Sequence, residues 1–144
     1  MKFSSEKRLK LYKKFGFTEK AFDDLNWRIR LGAYKELGFS KRALEDKDLD
    51  IRLEAYRSLG FTKRAFDDKG WKIRLEAYIM LGFTEKAFDD EDSEIRLEAY
   101  RNLGFTEKAF YDESSEIRLE ACEFKEITKE DYLKMLASNY PLRI

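Results

Sequence analysis

The sequence predicts an all-α protein, a right-handed α-solenoid of six 22-residue repeats, each a long helix followed by a short one. Three observations predict it. Glycine recurs at 16, 38, 60, 82 and 104 and isoleucine at 29, 51, 73, 95 and 117, both in steps of 22 without insertion. Between these markers the apolar residues fall at helical rather than strand spacing. The order of long helix, glycine, capped short helix is kept from copy to copy. The repeats begin near residues 4, 26, 48, 70, 92 and 114 and form a single domain over 1–144. The last is a degenerate C-terminal cap: Cys122 stands in the tyrosine slot and Glu126 in the glycine slot.

The long helix is read from its apolar arc. In the fifth repeat Ile95, Leu97, Ala99, Tyr100 and Leu103 fall on one half of the wheel, with Glu98, Arg101 and Asn102 on the other. Its start is marked by Ser4, Asn26, Asp48, Gly70, Asp92 and Ser114, all favourable N-caps. Its end is marked by glycine, expected in the left-handed conformation. The short helix is capped by Thr18, Ser40, Thr62, Thr84, Thr106 and Thr128. An apolar residue precedes each cap (Phe17, Phe39, Phe61, Phe83, Phe105, Ile127) and another follows four places after it (Phe22, Leu44, Phe66, Phe88, Phe110, Tyr132). That is the pattern of a hydrophobic staple. About two turns fit before an acidic pair, so part of the segment is expected to be 3₁₀. In the last repeat the helix can run on through Lys134 and Leu136 until Asn139 or Pro141 stops it. Stacked at helix-packing distances, six repeats would span on the order of 50–60 Å.

One repeated residue breaks the apolar arc. Arg8, Arg30, Arg52, Arg74, Arg96 and Arg118 follow the isoleucine slot and point into its middle. A buried guanidinium needs a hydrogen-bonded anion. Asp24, Asp46, Asp68, Asp90 and Asp112, six residues before each of the later arginines, are the expected partners in an Asp–Arg ladder. The planar fork of arginine suits such bridging.

An acidic loop, a capped start, Ile-Arg-Leu-x-Ala and a closing Leu-Gly together resemble the second helix of HEAT-like repeats. The short unit of one long and one very short helix is similar to the leucine-rich-repeat-variant type. The resemblance covers essentially the whole chain. It implies an α-solenoid that binds macromolecules, and it implies no catalysis.

Composition narrows the chemistry. The chain carries 29 basic and 29 acidic residues, one cysteine and no histidine. Histidine-dependent triads and metal sites are therefore excluded. A single cysteine forms no intrachain disulfide, and a cytoplasmic location is expected. No apolar run is long enough for a membrane span, and Met1–Glu6 has no signal-peptide core. The acidic stretch Asp89–Glu94 lacks the spacing and glycine of an EF-hand, and Asp90 and Asp92 have structural roles, so no metal and no other cofactor is expected. Cys122 sits in a core slot with nothing to activate it. An enzyme is not expected.

The candidate binding residues are those that differ between repeats. The first position of the long helix reads Ser5, Trp27, Leu49, Trp71, Ser93 and Ser115. This Trp–Leu–Trp stripe either covers the joints between helices or forms an exposed anchor for a partner. Ile79 and Met80 place apolar groups where other repeats carry Arg57-Ser58 and Arg101-Asn102. Lys41, Arg42, Lys63 and Arg64 make the second and third short helices basic. Residues 1–72 hold 19 basic and 12 acidic groups and residues 73–144 hold 10 and 17, a net of +7 against −7. The expected function is a protein-interaction module, an adaptor or stoichiometric inhibitor whose partner carries an acidic patch. The alternatives are nucleic-acid binding by the basic half and head-to-tail self-association of opposite ends.

Overall fold

The computed structural model describes residues 2–124 and 128–137. Long helices α1 (Ser5–Phe15), α2 (Trp27–Leu37), α3 (Leu49–Leu59), α4 (Trp71–Leu81), α5 (Ser93–Leu103) and α6 (Ser115–Phe124) recur at the predicted interval. Between them lie the 3₁₀-helices η1 (Glu19–Asp23), η2 (Lys41–Glu45), η3 (Lys63–Asp67), η4 (Glu85–Asp89) and η5 (Glu107–Tyr111). A final helix, α7 (Lys129–Leu136), takes the place of a sixth 3₁₀-helix. No strand occurs among the described residues, and the fold is an all-α repeat solenoid. It divides into two compact units, Met1–Ile73 and Arg74–Ile144.

Each long helix starts one residue after its predicted cap. The Ser4 hydroxyl accepts from the Lys7 N–H at 3.3 Å and the Asn26 side chain from the Arg28 N–H at 2.9 Å. Asp48 and Asp92 each accept from two N–H groups of the first turn. At the other end the glycine N–H donates to the tyrosine carbonyl four residues back. The glycine conformation differs from the expected left-handed one. Gly16, Gly38, Gly60 and Gly104 have φ of 98–106° with ψ of 143–149°. That region is open essentially to glycine alone, and it sends the chain out extended instead of curling it back.

The short segments are wholly 3₁₀ from first to fifth repeat. In each, the alanine N–H donates to the carbonyl of the preceding Thr or Ser (Ala21 to Thr18, 2.9 Å). The hydroxyls of Thr18, Ser40, Thr62, Thr84 and Thr106 make no capping hydrogen bond, contrary to expectation. An i→i+3 ladder over five residues uses the cap's own carbonyl and leaves few orphan donors. Thr128 precedes a true α-helix and does cap it. Its hydroxyl accepts from the Asp131 N–H at 3.1 Å, and the Asp131 carboxylate accepts from the Thr128 N–H at 3.2 Å. This is a reciprocal capping box. Glu126, Ile127, the side chain of Tyr132 and the expected stops at Asn139 and Pro141 lie outside the described residues.

Within each unit the core is small and repeated. Ile29, Ala33 and Ala21 are fully buried together, as are Ile51, Ala55 and Ala43. The alanines let the 3₁₀-helix lie against the next long helix, and each buried isoleucine contributes about 1.5–3 kcal/mol. Tyr34 is held between Phe22, tilted at 4.6 Å, and Phe39, stacked at 5.6 Å. Phe88 and Phe105 hold Tyr100 in the same way in the C-terminal unit. The phenylalanine before each short segment thus stacks on the tyrosine of the preceding helix. Burial pushes the Tyr100 phenol up to about 12.

Arg30, Arg52 and Arg74 are buried in ion pairs, in a register that corrects the expected one. Nε and Nη2 of Arg30 donate to both carboxylate oxygens of Asp46, sixteen residues later, at 2.9 Å each. Nη1 donates to the backbone carbonyls of Asp24 (2.8 Å) and Leu25 (3.1 Å). The aspartate six residues earlier therefore gives its carbonyl, not its carboxylate. The pairs Arg8–Asp24 and Arg52–Asp68 follow in the N-terminal unit, Arg74–Asp90 and Arg96–Asp112 in the C-terminal one. Arg118 donates through Nη1 to the carbonyls of Asp112 and Glu113. Each aspartate also accepts from the N–H two residues on, as Asp46 does from Asp48 at 2.9 Å, which sets the next N-cap.

Two predictions follow from these elements. At Gly60 an added Cβ would meet nothing within 4 Å, so Gly60→Ala isolates backbone strain. Its urea unfolding free energy should fall by about 1–3 kcal/mol. The hydrogen bonds of Arg8 hold the Asp24 carboxyl below the ordinary range. Burial pushes Asp46 up, but Arg30 and the Asp48 N–H outweigh it and hold Asp46 low as well. Depressed carboxyls stabilise the fold above their unfolded pKa, near 4, and that stability is lost as pH falls through the folded values. Urea midpoints measured from pH 7 to 2.5 should drop below about pH 4, with a shallower drop in Asp46→Asn.

Candidate functional site

The repeat carries one exception that opens a cleft. The position after Leu in Ile-Arg-Leu-Glu-Ala is Glu54, Glu76, Glu98 and Glu120 in the third to sixth repeats, and Gly32 in the second. A Cβ on Gly32 would lie 2.4 Å from Cζ of Phe17, so the phenylalanine ring occupies the space that a side chain takes elsewhere. Phe17 stacks on Tyr12 at 5.2 Å, and its N–H donates to the Glu36 carboxylate at 3.3 Å. Beside it a cleft of about 550 Å³ runs between α1 and α2. Leu9, Phe17, Trp27 and Leu31 provide its apolar lining, and Lys13, Arg28, Lys35 and Glu36 provide its charges.

Trp27 is 37% exposed, with the Arg28 guanidinium over its ring at 5.5 Å. Lys13, Arg28 and Lys35 are exposed and make no ion pair among the described residues. Glu36 is engaged by the Phe17 N–H. The rim therefore carries three cations against one carboxylate, over a floor of hydrocarbon and aromatic rings. Such a site suits an apolar side chain flanked by anions.

The cleft that Trp27 lines includes none of Lys41, Arg42, Lys63 and Arg64. These four are exposed on η2 and η3. Arg42 is paired with Asp23 and lies over the Phe22 ring at 5.7 Å, and Arg64 is paired with Glu45 at 3.4 Å. Leu49 is half-buried, and its Cδ1 lies 2.3 Å from where a Cβ on Gly70 would be, so it covers the joint to the next repeat. Trp71 is half-buried, with the Lys72 ammonium 5.8 Å from its ring centroid. Ile79 and Met80 stand out from α4 at 62% and 66% exposure. In the acidic stretch, Asp90 holds Arg74, Asp92 caps α5 and Asp89 pairs with Lys108. Cys122 packs against the cluster of Tyr100, Phe110 and Ile117, and burial pushes its thiol up, away from the reactive thiolate.

Comparison with family models, with curated proteins and with solved structures finds no match. The chain's own repeats are thus the reference against which its cleft stands out.

An exposed helix glycine replaced by alanine is ordinarily stabilising by about 1 kcal/mol. Gly32→Ala should do the opposite. The new methyl displaces Phe17 from Tyr12, and the unfolding free energy should fall by about 1–3 kcal/mol, as in other overpacked sites. Urea unfolding followed by tryptophan fluorescence in a Trp71→Phe background measures both the sign and the disturbance of the cleft.

Proposed function

We propose that this chain is a non-enzymatic interaction module of HEAT-like type, an adaptor or stoichiometric inhibitor working in the cytoplasm. The observation that carries the reading is the α1–α2 cleft, with Trp27, Phe17 and Leu31 under an unpaired basic rim of Lys13, Arg28 and Lys35. It favours a protein partner with an acidic patch and one apolar side chain for the floor. Arg42 and Arg64, already paired with Asp23 and Glu45, contribute less to steering than their sequence suggested.

Nucleic-acid binding is the second reading, because free cations beside an exposed tryptophan also suit a phosphate backbone and a stacked base. The apolar floor and the Glu36 carboxylate on the rim favour protein over phosphate.

The test is affinity capture from source-cell lysate, with and without nuclease, using the wild type, Trp27→Ala and Arg28→Glu. The proposal expects one dominant protein retained after nuclease and lost, at least about tenfold, with either substitution. A set of proteins that disappears on nuclease treatment would favour nucleic acid. Capture unaffected by both substitutions would remove the cleft from the account.

A further inference from the structure

The repeat lets one groove be compared with its own counterpart. Three repeats after the α1–α2 cleft, a groove on the C-terminal unit is lined at matching positions. Ile79 replaces Lys13, Glu94 replaces Arg28, Glu98 replaces Gly32, and Arg101 replaces Lys35. It is about half the size, 280 Å³ against 550 Å³. Where the first is an open basic cleft, the second is a smaller acidic groove, edged by the exposed apolar ridge of Ile79 and Met80. Glu116 of α6 adds a further carboxylate.

Its one cation is neutralised. Arg101 is bound by Glu98 at 2.7 Å and by both carboxylate oxygens of Glu120. Glu94 and Glu116 are exposed and make no ion pair among the described residues. The ridge therefore presents the exposed apolar pair Ile79-Met80 beside uncompensated carboxylates. Hydrocarbon flanked by anions is the complement of a hydrocarbon floor rimmed by cations.

We infer that the α1–α2 cleft of one copy takes the Ile79-Met80 ridge of a second copy, with Arg28 and Lys35 facing Glu94 and Glu116. The contact is heterologous: the two surfaces lie on different parts of the chain, and neither is used up on both partners. This inference rests on the cleft being an interaction site and names its occupant.

The test uses the purified full chain, with sedimentation velocity over a concentration series. The cleft variant is Arg28→Glu with Lys35→Glu, and the ridge variant is Glu94→Lys with Glu116→Lys. All four positions are exposed, and circular dichroism checks that both variants stay folded. The wild type should associate with rising concentration, at least about tenfold more weakly in 500 mM salt than in 50 mM. Each variant alone should be monomeric, because like charges then face each other. An equimolar mixture of the two should associate again, because the swapped charges are complementary. A monomeric wild type, association that survives in either variant alone, or a mixture that stays monomeric would each overturn the inference. A monomeric wild type that still captures an acidic protein through Trp27 and Arg28 would overturn self-docking and leave the cleft's role intact.

Discussion

A guanidinium inside a protein is tolerated only when nearly all its N–H groups are engaged, and that demand organises this fold. Arg30 makes four hydrogen bonds, two to the Asp46 carboxylate and two to the carbonyls of Asp24 and Leu25. The first pair ties its helix to the loop ahead, and the second ties it to the loop behind. Each aspartate is shared likewise: the Asp46 carboxylate holds Arg30 and the Asp48 N–H, while its carbonyl holds Arg52. In the N-terminal unit this makes an unbroken relay from Arg8 to Asp68. The apolar core around it, an isoleucine, two alanines and a buried tyrosine in each inner repeat, is non-directional. The relay supplies the direction, because a bidentate pair tolerates little sliding. It fixes where each 3₁₀-helix ends and where each long helix begins.

Much of this was legible from the spacing of a few residues. The N-cap series marked the start of every long helix and the glycines the end of the first five to the residue, since caps and periodicity are local properties of the chain. The ladder was legible as a set of residues and not as a set of pairs. A helical wheel shows that Arg30 faces inward; it does not show whether the carboxylate before or after it in the chain arrives there. Asp24 lies closer in sequence, yet its carboxylate is turned to Arg8, and only its carbonyl reaches Arg30. The threonine hydroxyls misled for a related reason. The Thr-x-x-Ala pattern suits an α-helical start, but the segment closes as 3₁₀ through backbone carbonyls and does not need them.

The site was less legible than the fold. Trp27 stood out as an aromatic in a serine position, and the structure places it in the cleft wall. Lys41, Arg42, Lys63 and Arg64 drew attention through adjacency in sequence, whereas charge compensation is a property of the folded neighbour, as Asp23 and Glu45 show. Gly32 was the stronger signal. It is the departure from Leu-Glu-Ala that removes a side chain and admits Phe17, and that consequence depends on a contact between repeats. Solenoids of this kind keep their buried positions nearly identical and vary the outer row. Binding differences therefore arise as single-position exceptions on a shared frame, as with Gly32 against Glu98.

The ladder as the constraint that joins one repeat to the next is tested most directly by a double-mutant cycle on Arg30 and Asp46, with Arg30→Met, Asp46→Leu and the double variant unfolded in urea at pH 7. Each single change strands a buried partner and should cost about 3–5 kcal/mol. The double change removes both charges and should cost clearly less than the sum, leaving a coupling energy of about 2 kcal/mol or more. Single costs below about 1 kcal/mol that add without coupling would contradict the account and return the stack to its apolar contacts alone.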